Sequence, residues 1–109
     1  MPVDPTAAIE ISAFRWVPDF AKGLVRDMRL RWALEEAGLP YRVRLLDAMT
    51  ERPQDYFQEQ PFGQVPIFVE GDLHMFESGA ILLHVGEKSE TLLPKDEIGR
   101  ARATCWLIA

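Results

Sequence analysis

The stretch that decides the fold covers residues 61–85 and reads PFGQVPIFVEGDLHMFESGAILLHV. Two short apolar runs, residues 65–70 and 73–77, flank a Gly-Asp pair that suits a two-residue hairpin turn. The apolar residues at 79–85 then predict a helix that is buried against a sheet. We therefore expect a β-hairpin followed at once by a helix.

Pro66 opens the first strand of this hairpin. Proline has no amide hydrogen, so it is found at the start of a strand and not in the middle of a ladder. Because the trans form of an X-Pro bond is favoured by only about 0.5–1 kcal/mol, surrounding structure can hold the Val65–Pro66 bond in cis. A cis bond would turn the N–H and C=O of Val65 outward, where they could pair with an extended peptide.

Glu77 and Ser78 provide further polar groups where the predicted helix begins. We expect Ser78 to be the N-cap, with the first N–H groups of the helix available to an anion such as an α-carboxylate. The carboxylate of Glu77 is an acceptor for an ammonium group, so the pair could hold both charges of an amino-acid end. The alternative is that Ser78 only caps a buried helix and that Glu77 is solvated.

These motifs together resemble a known family. Pro-x-Gly-x-Val-Pro, a short hairpin and Glu-Ser-x-Ala-Ile are similar to the glutathione-binding signature of the N-terminal, thioredoxin-like domain of glutathione S-transferases. Residues 29–41, RLRWALEEAGLPY, also resemble the first helix and second strand of bacterial members. The resemblance implies that glutathione is contacted by the main chain of Val65, by Pro66 through its cis geometry, and by Gln64, Glu77 and Ser78, the last two at the γ-glutamyl end.

The rest of the chain predicts one α/β domain. Hydrophobic periodicity places strands at residues 9–14 and 41–46 around a helix at residues 24–37, which should form a right-handed, parallel βαβ unit. Residues 50–60 are expected to form a short second helix or an irregular segment. With the hairpin and its helix, the resemblance implies a thioredoxin-like βαβαββα domain with a four-stranded mixed sheet.

Two helices have apolar faces that this domain does not cover. The helix at residues 24–37 carries two apolar stripes, and the helix at residues 95–109 carries one with no later element to pack on it. The resemblance implies that a homodimer forms and that the missing body is an all-helical C-terminal domain, of which residues 95–109 would be the first helix in a truncated chain. The expected organisation is a lead-in at 1–8, the domain at 9–87, a linker at 88–94 and this helix.

The amino-acid composition excludes several classes of binding partner and indicates where in the cell the protein is found. The net charge of -5 and the pI near 5.0 argue against a nucleic acid or an anionic membrane as partner. Cys105 is the single cysteine, expected to be a small core residue, and His74 and His84 lack the neighbours of a metal cluster. Because the sequence shows neither a long apolar run nor a signal peptide, we expect a soluble, cytoplasmic protein without a metal or cofactor.

Catalysis by such a family requires a thiolate. The resemblance implies that glutathione, as co-substrate, is ionised and attacks a small electrophile, which needs its thiol pKa to fall by about 2 units, or about 2.7 kcal/mol. Ser12 is the sole Ser, Thr, Tyr or Cys between residues 9 and 40, which makes it the catalytic candidate. The alternative is a small hydroxyl bonded to neighbouring backbone. Lys22, Arg15 or the first N–H groups of the helix are other possible thiolate partners.

Two functional hypotheses therefore remain open. The first is a glutathione S-transferase-like protein, active when its second domain is supplied. The second is a non-catalytic glutathione-binding or dimerisation module, which the shortage of hydroxyl groups favours. Trp16 is a candidate wall of the pocket. Arg52 is either a contributor at the glycine end of glutathione or, as we expect, a solvated surface arginine.

Overall fold

The alternation in IEISAF makes β1 (Ile9–Phe14) the central strand, with successive side chains on opposite faces of a sheet. The computed structural model describes residues 2–109. In it β1 pairs in parallel with β2 (Tyr41–Leu46) and antiparallel with β3 (Phe68–Glu70), which pairs with β4 (Leu73–Met75). The strand order is β2-β1-β3-β4. The predicted four-stranded mixed sheet and its parallel β1–β2 pair are confirmed.

One face of the sheet is covered by α1 (Asp27–Ala37) and α2 (Ser78–Gly86). Helix α1 ends at Ala37, as predicted, and Gly38, with a positive φ of 68°, is its C-cap. Each large aliphatic side chain buried here contributes about 1.5–3 kcal/mol relative to its exposed state. The buried residues of this core are Ile9, Ile11, Leu30, Ala33, Leu34, Tyr41, Phe68, Ile81 and Val85.

The opposite face of the sheet carries a second, smaller core. A 3-10 turn (Gln54–Gln58) lies over this face and contributes the buried ring of Tyr56. Leu46, Val65 and Ile67 pack with that ring. This second core attaches the residues ahead of β3 to the sheet, and those residues contain the predicted binding segment.

Apolar side chains are exposed on α1 and on α3 (Glu97–Ile108). No residue from Glu97 to Ile108 is buried, and Trp106 is 83% exposed. On α1 and the turn before it, Leu24, Met28 and Trp32 are also exposed. The prediction that these two helices have uncovered apolar faces is confirmed. Val25, although it follows the exposed Leu24 directly, packs against the second core.

Several element boundaries differ from the sequence prediction. Helix α1 begins at Asp27 and not at residue 24, because the preceding turns are closed by i to i−3 hydrogen bonds such as Leu24 N–H to the Ala21 carbonyl. Strand β3 begins at Phe68 and not at residue 65. In the lead-in, Val3 forms an isolated parallel bridge with Tyr41, and Met1 lies outside the described residues.

Candidate functional site

Val65 presents unpaired main-chain groups beside a cleft. The Val65–Pro66 peptide bond is cis, and both side chains are buried. Within residues 2–109, neither the N–H nor the C=O of Val65 forms a hydrogen bond. The residues on either side differ, since the Gln64 carbonyl and the Ile67 N–H are both bonded to side chains. These Val65 groups are therefore available to a ligand.

The turn from β4 into α2 places Glu77 and Ser78 at the helix start. The carbonyl of Glu77 accepts the first helical hydrogen bond, from Ile81 N–H at 3.0 Å, so Glu77 is the N-cap and Ser78 is the first helical residue. This corrects the predicted N-cap at Ser78. Glu77 has a φ of +78°, which costs a non-glycine residue about 1–3 kcal/mol and is found most often at functional sites.

The predicted binding residues come together at two adjoining cavities. The larger, of about 740 Å³, is lined by Gln64, Glu77 and Ser78. The smaller, of about 460 Å³, is lined by Gln64, Val65 and Phe14. Gln64 and Arg26 line both cavities. A ligand in extended conformation could therefore contact the start of α2 and the main chain of Val65 at the same time.

Ser12 lies beneath this site and is fully buried. Its Oγ accepts a hydrogen bond from Ile67 N–H at 2.9 Å and lies 2.8 Å from the Tyr56 Oη. Burial raises the pKa of the Tyr56 hydroxyl, so the phenol stays neutral over the physiological range. A hydroxyl with no exposed surface cannot reach a bound thiol. The geometry argues against the catalytic role considered for Ser12 and favours the structural alternative.

Arg52 is also bonded to main-chain groups of the protein. Its Nε donates to the Gly63 carbonyl at 2.9 Å, and its Nη1 donates to the Asp47 and Thr50 carbonyls at 3.0 Å each. The guanidinium lies 4.5 Å from the centroid of the Phe14 ring. The expectation of a solvated arginine was wrong, because the carbonyl oxygens of residues 47, 50 and 63 all accept hydrogen bonds from its guanidinium group.

Arg26 is the cation that sequence reasoning missed. It lies immediately before α1 and lines both cavities. The sequence placed residue 26 inside the helix, whereas the true start at Asp27 puts Arg26 at its N-terminal end. Arg15 and Lys22, which the sequence did name, are exposed as Arg26 is, but they line neither of these cavities, and Lys22 forms an ion pair with Asp19 at 2.9 Å. Trp16 is likewise exposed.

The histidines and the cysteine are not gathered into a site. Nδ1 of His74 lies 3.6 Å from Glu59, and the His84 ring packs edge-to-face on Phe68 with centroids 5.3 Å apart. In the part of the chain that the structure describes, no group of three or more His, Cys, Asp or Glu is arranged to hold a metal ion. Cys105 is exposed. The prediction that Cys105 is a core residue was wrong, because nothing packs on its side of α3 among residues 2–109.

The family follows from a sequence match that includes α1, α2 and three of the four strands. Residues 21–87, more than half of the chain, match the family model for the glutathione S-transferase N-terminal domain. The chain belongs to the glutathione S-transferase family. The family predicted from the hairpin motifs and the thioredoxin-like fold are both confirmed. Within residues 2–109 no helix has both the length and the apolar character needed to cross a membrane.

Two plant relatives are similar in sequence over most of this chain. It is 35% identical over 80 residues to glutathione S-transferase F10 of Arabidopsis thaliana, which covers 68% of this chain and 37% of that protein. It is 35% identical over 86 residues to glutathione S-transferase 4 of Zea mays, which covers 76% of this chain and 35% of that protein.

A solved structure from a bacterium is similar as well. The theta class glutathione S-transferase of Xanthomonas axonopodis pv. citri, with glutathione bound, superimposes with a TM-score of 0.74 and 28% identity. The match covers 93% of this chain and 47% of that one. The chain thus spans about a third of the length of the curated relatives it matches and about half of this solved structure.

Proposed function

We propose that this chain binds glutathione and forms the glutathione-binding part of a transferase that joins the glutathione thiolate to a small electrophile. The observation that carries the proposal is that the main-chain N–H and C=O of Val65 form no hydrogen bond among residues 2–109. Val65 lines the smaller cavity, and Gln64 lines both this cavity and the larger one, which Glu77 and Ser78 line. An extended peptide pairs with such groups as an added strand would. Family membership and the glutathione in the Xanthomonas structure support this ligand.

The start of α2, which lines the larger cavity, offers groups that complement both charges of the γ-glutamyl group. The exposed carboxylate of Glu77 accepts from the ammonium, while the Ser78 hydroxyl and the first N–H groups of α2 donate to the α-carboxylate. The main chain of Val65 then pairs with the cysteinyl residue. This arrangement directs the thiol toward the smaller cavity, which Phe14 and Arg26 line.

Arg26 is our proposed stabiliser of the thiolate. A cation next to the N-terminus of a helix lowers the pKa of a nearby thiol. A drop of about 2 units, or about 2.7 kcal/mol, would leave most of the bound glutathione ionised at pH 7. Arg26 meets this requirement in position, because it lines both cavities and directly precedes α1.

Calorimetric titration with glutathione tests the binding site. Replacing Glu77→Gln removes the negative charge that faces the ammonium and should weaken binding about tenfold or more, since a charge-assisted hydrogen bond contributes about 1.5–3 kcal/mol. Glu36→Gln changes the net charge equally on the exposed surface of α1 and should bind as the original chain does. Glutathione lacking its amino group should not distinguish Glu77→Gln from the original chain. Equal glutathione affinity in Glu77→Gln and Glu36→Gln would refute the assignment of Glu77.

A pH titration of the bound thiol tests Arg26. The ultraviolet absorbance of the thiolate, followed against pH, gives the pKa of glutathione in the complex. Arg26→Gln should raise that pKa toward the free value of about 8.5, whereas Arg102→Gln on exposed α3 should leave it unchanged. An unchanged pKa in Arg26→Gln would remove Arg26 from the mechanism.

The burial of Ser12 favours a second candidate, a module that binds glutathione without catalysis. Turnover of a chloronitroaromatic electrophile, measured together with retention on immobilised glutathione, separates the two functions. Binding with turnover supports the transferase. Binding without turnover, also when an all-helical domain of a relative is supplied, supports the module.

We further propose that the exposed faces of α1 and α3 pack against an all-helical body and that the protein is a cytoplasmic homodimer. Trp32 and Trp106, exposed by 72% and 83%, are large apolar groups that a partner would cover. A single cysteine fits a reducing compartment. A 109-residue chain that is monomeric by sedimentation and binds no hydrophobic dye would contradict both parts of the packing proposal.

A further inference from the structure

A chain of hydrogen bonds runs beneath the binding segment. Ile67 N–H donates to Ser12 Oγ at 2.9 Å, Ser12 Oγ and Tyr56 Oη are 2.8 Å apart, and Tyr56 Oη donates to the Gln64 carbonyl at 2.6 Å. Ser12 is 0% exposed and Tyr56 is 1% exposed. Two buried hydroxyl groups therefore link both ends of residues 64–67 to β1.

The direction of each hydrogen bond in this chain is determined. A hydroxyl has one hydrogen to donate. The hydrogen of Tyr56 goes to the Gln64 carbonyl, so the bond between the two hydroxyls uses the hydrogen of Ser12. Ser12 in turn accepts from Ile67 N–H. Each hydroxyl donates once and accepts once, so both buried polar side chains are satisfied.

The two main-chain groups that bond to Ser12 and Tyr56 lie on either side of the unbonded groups of Val65. The Gln64 carbonyl and the Ile67 N–H are bonded, while the N–H and C=O of Val65 between them are not, among residues 2–109. The residues around the chain, Leu46 and Val65 among them, are apolar, which strengthens hydrogen bonds and raises the cost of breaking one. Movement of the segment would therefore expose unsatisfied groups at both ends.

We propose that Ser12 and Tyr56 are positioning residues, which hold residues 64–67 so that the main-chain groups of Val65 are fixed at the cleft in the orientation that a tripeptide requires. This inference rests on the proposed function, since it takes glutathione as the ligand of Val65. A binding group held by its surroundings loses less freedom when the ligand arrives and so binds more tightly. An apolar pair at these positions would fill the same space without fixing the orientation.

The first experiment compares two tyrosine variants. Tyr56→Phe keeps the ring in the second core but leaves the Gln64 carbonyl and the Ser12 hydroxyl without their partner. We expect its glutathione dissociation constant to rise about tenfold. Tyr41→Phe is the matched control: Tyr41 is 2% exposed, its hydroxyl donates to Glu35 at 3.0 Å, and it lines neither cavity. Tyr41→Phe should lower stability comparably and bind glutathione as the original chain does.

A double-mutant cycle separates positioning from a general loss of stability. Ser12→Ala alone should weaken glutathione binding as Tyr56→Phe does, and the double variant should lose less affinity than the sum of the two, because both act through one chain of bonds. Additive losses, or a glutathione affinity that stays within twofold in both single variants, would overturn the proposal. If Tyr56→Phe does not fold, Ser12→Ala carries the comparison with Tyr41→Phe.

Hydrogen exchange keeps this inference distinct from the proposed function. In Ser12→Ala the amide of Ile67 should exchange at least tenfold faster, while that of Phe68 in β3 keeps its rate. If the original chain binds glutathione and both variants bind equally well, positioning is refuted and the glutathione site stands. If the original chain does not bind glutathione, the proposed function fails, and faster exchange at Ile67 in Ser12→Ala still supports the conclusion that Ser12 fixes the position of residues 64–67. Unchanged exchange at Ile67 overturns that conclusion as well.

Discussion

Arg52→Met should be among the most destabilising replacements of a charged residue in this chain. Methionine keeps much of the aliphatic length of arginine but none of its donors, so the Gly63, Asp47 and Thr50 carbonyls lose their shared partner. The contact with the Phe14 ring at 4.5 Å loses its charge at the same time. The change therefore releases the loop after β2 and the residues before Gln64 together.

The size of the effect follows from where each carbonyl lies. Gly63 is buried, and its unsatisfied carbonyl should cost about 1–3 kcal/mol. The bonds to the Asp47 and Thr50 carbonyls are exposed, so water replaces them at a combined cost of about 1 kcal/mol. Losing the cation–π contact adds about 0.5–1 kcal/mol. The sum of roughly 2.5–5 kcal/mol is a large part of the 5–15 kcal/mol typical of a domain.

Urea unfolding followed by far-ultraviolet circular dichroism measures this loss. Fluorescence is the poorer probe, because all three tryptophans are more than half exposed in the folded chain. Arg29→Met, at an exposed position on α1, is the control and should change the free energy of unfolding by less than about 0.5 kcal/mol. If Arg52→Met were as stable as Arg29→Met, Arg52 would be the solvated side chain that its sequence context indicates.

Three further changes have defined outcomes. The hydrogen bonds from Arg44 lower the pKa of Glu59, so their stabilisation is present above about pH 4.5 and is lost as pH falls through the folded-state pKa. Glu59→Gln should cost about 0.5–1 kcal/mol at pH 7, and its urea midpoint should approach that of the original chain as pH falls below about 4.5. Gly63→Ala should cost about 1–2 kcal/mol in urea unfolding, because its φ is +67° and the added carbon would lie 2.8 Å from the Phe57 ring, whereas Gly79→Ala, with nothing within 4 Å, should not destabilise. Leu30→Ala, at a fully buried position, should lower the free energy of unfolding by about 2–5 kcal/mol, and a loss below 1 kcal/mol would contradict the assigned core.

The local pattern of the sequence was enough for most of the fold. The bounds of β1 and β2 agree with the predicted strands to the residue, since alternation of apolar and polar side chains is a property of adjacent positions. Helix α1 also ends at residue 37 as predicted, because the glycine that follows is a local signal. Residues 61–85 were sufficient to identify the family and to locate Gln64, Val65, Glu77 and Ser78 in one region, because these residues act within a single hairpin and the turn after it.

The roles of individual polar side chains were decided by contacts between distant parts of the chain. Ser12 and Ile67 are separated by 55 positions, and Ser12 and Tyr56 by 44, so no local pattern could reveal that the hydroxyl is bonded and buried. Arg26 became a candidate for the thiolate only when the start of α1 was known. The sequence by itself determined the order of strands and helices, since this order depends on neighbouring residues. The tertiary structure decided which polar groups form hydrogen bonds within the protein and which, like the main chain of Val65, remain available to a ligand. The physical reason is that a hydrogen bond requires two groups to meet in space.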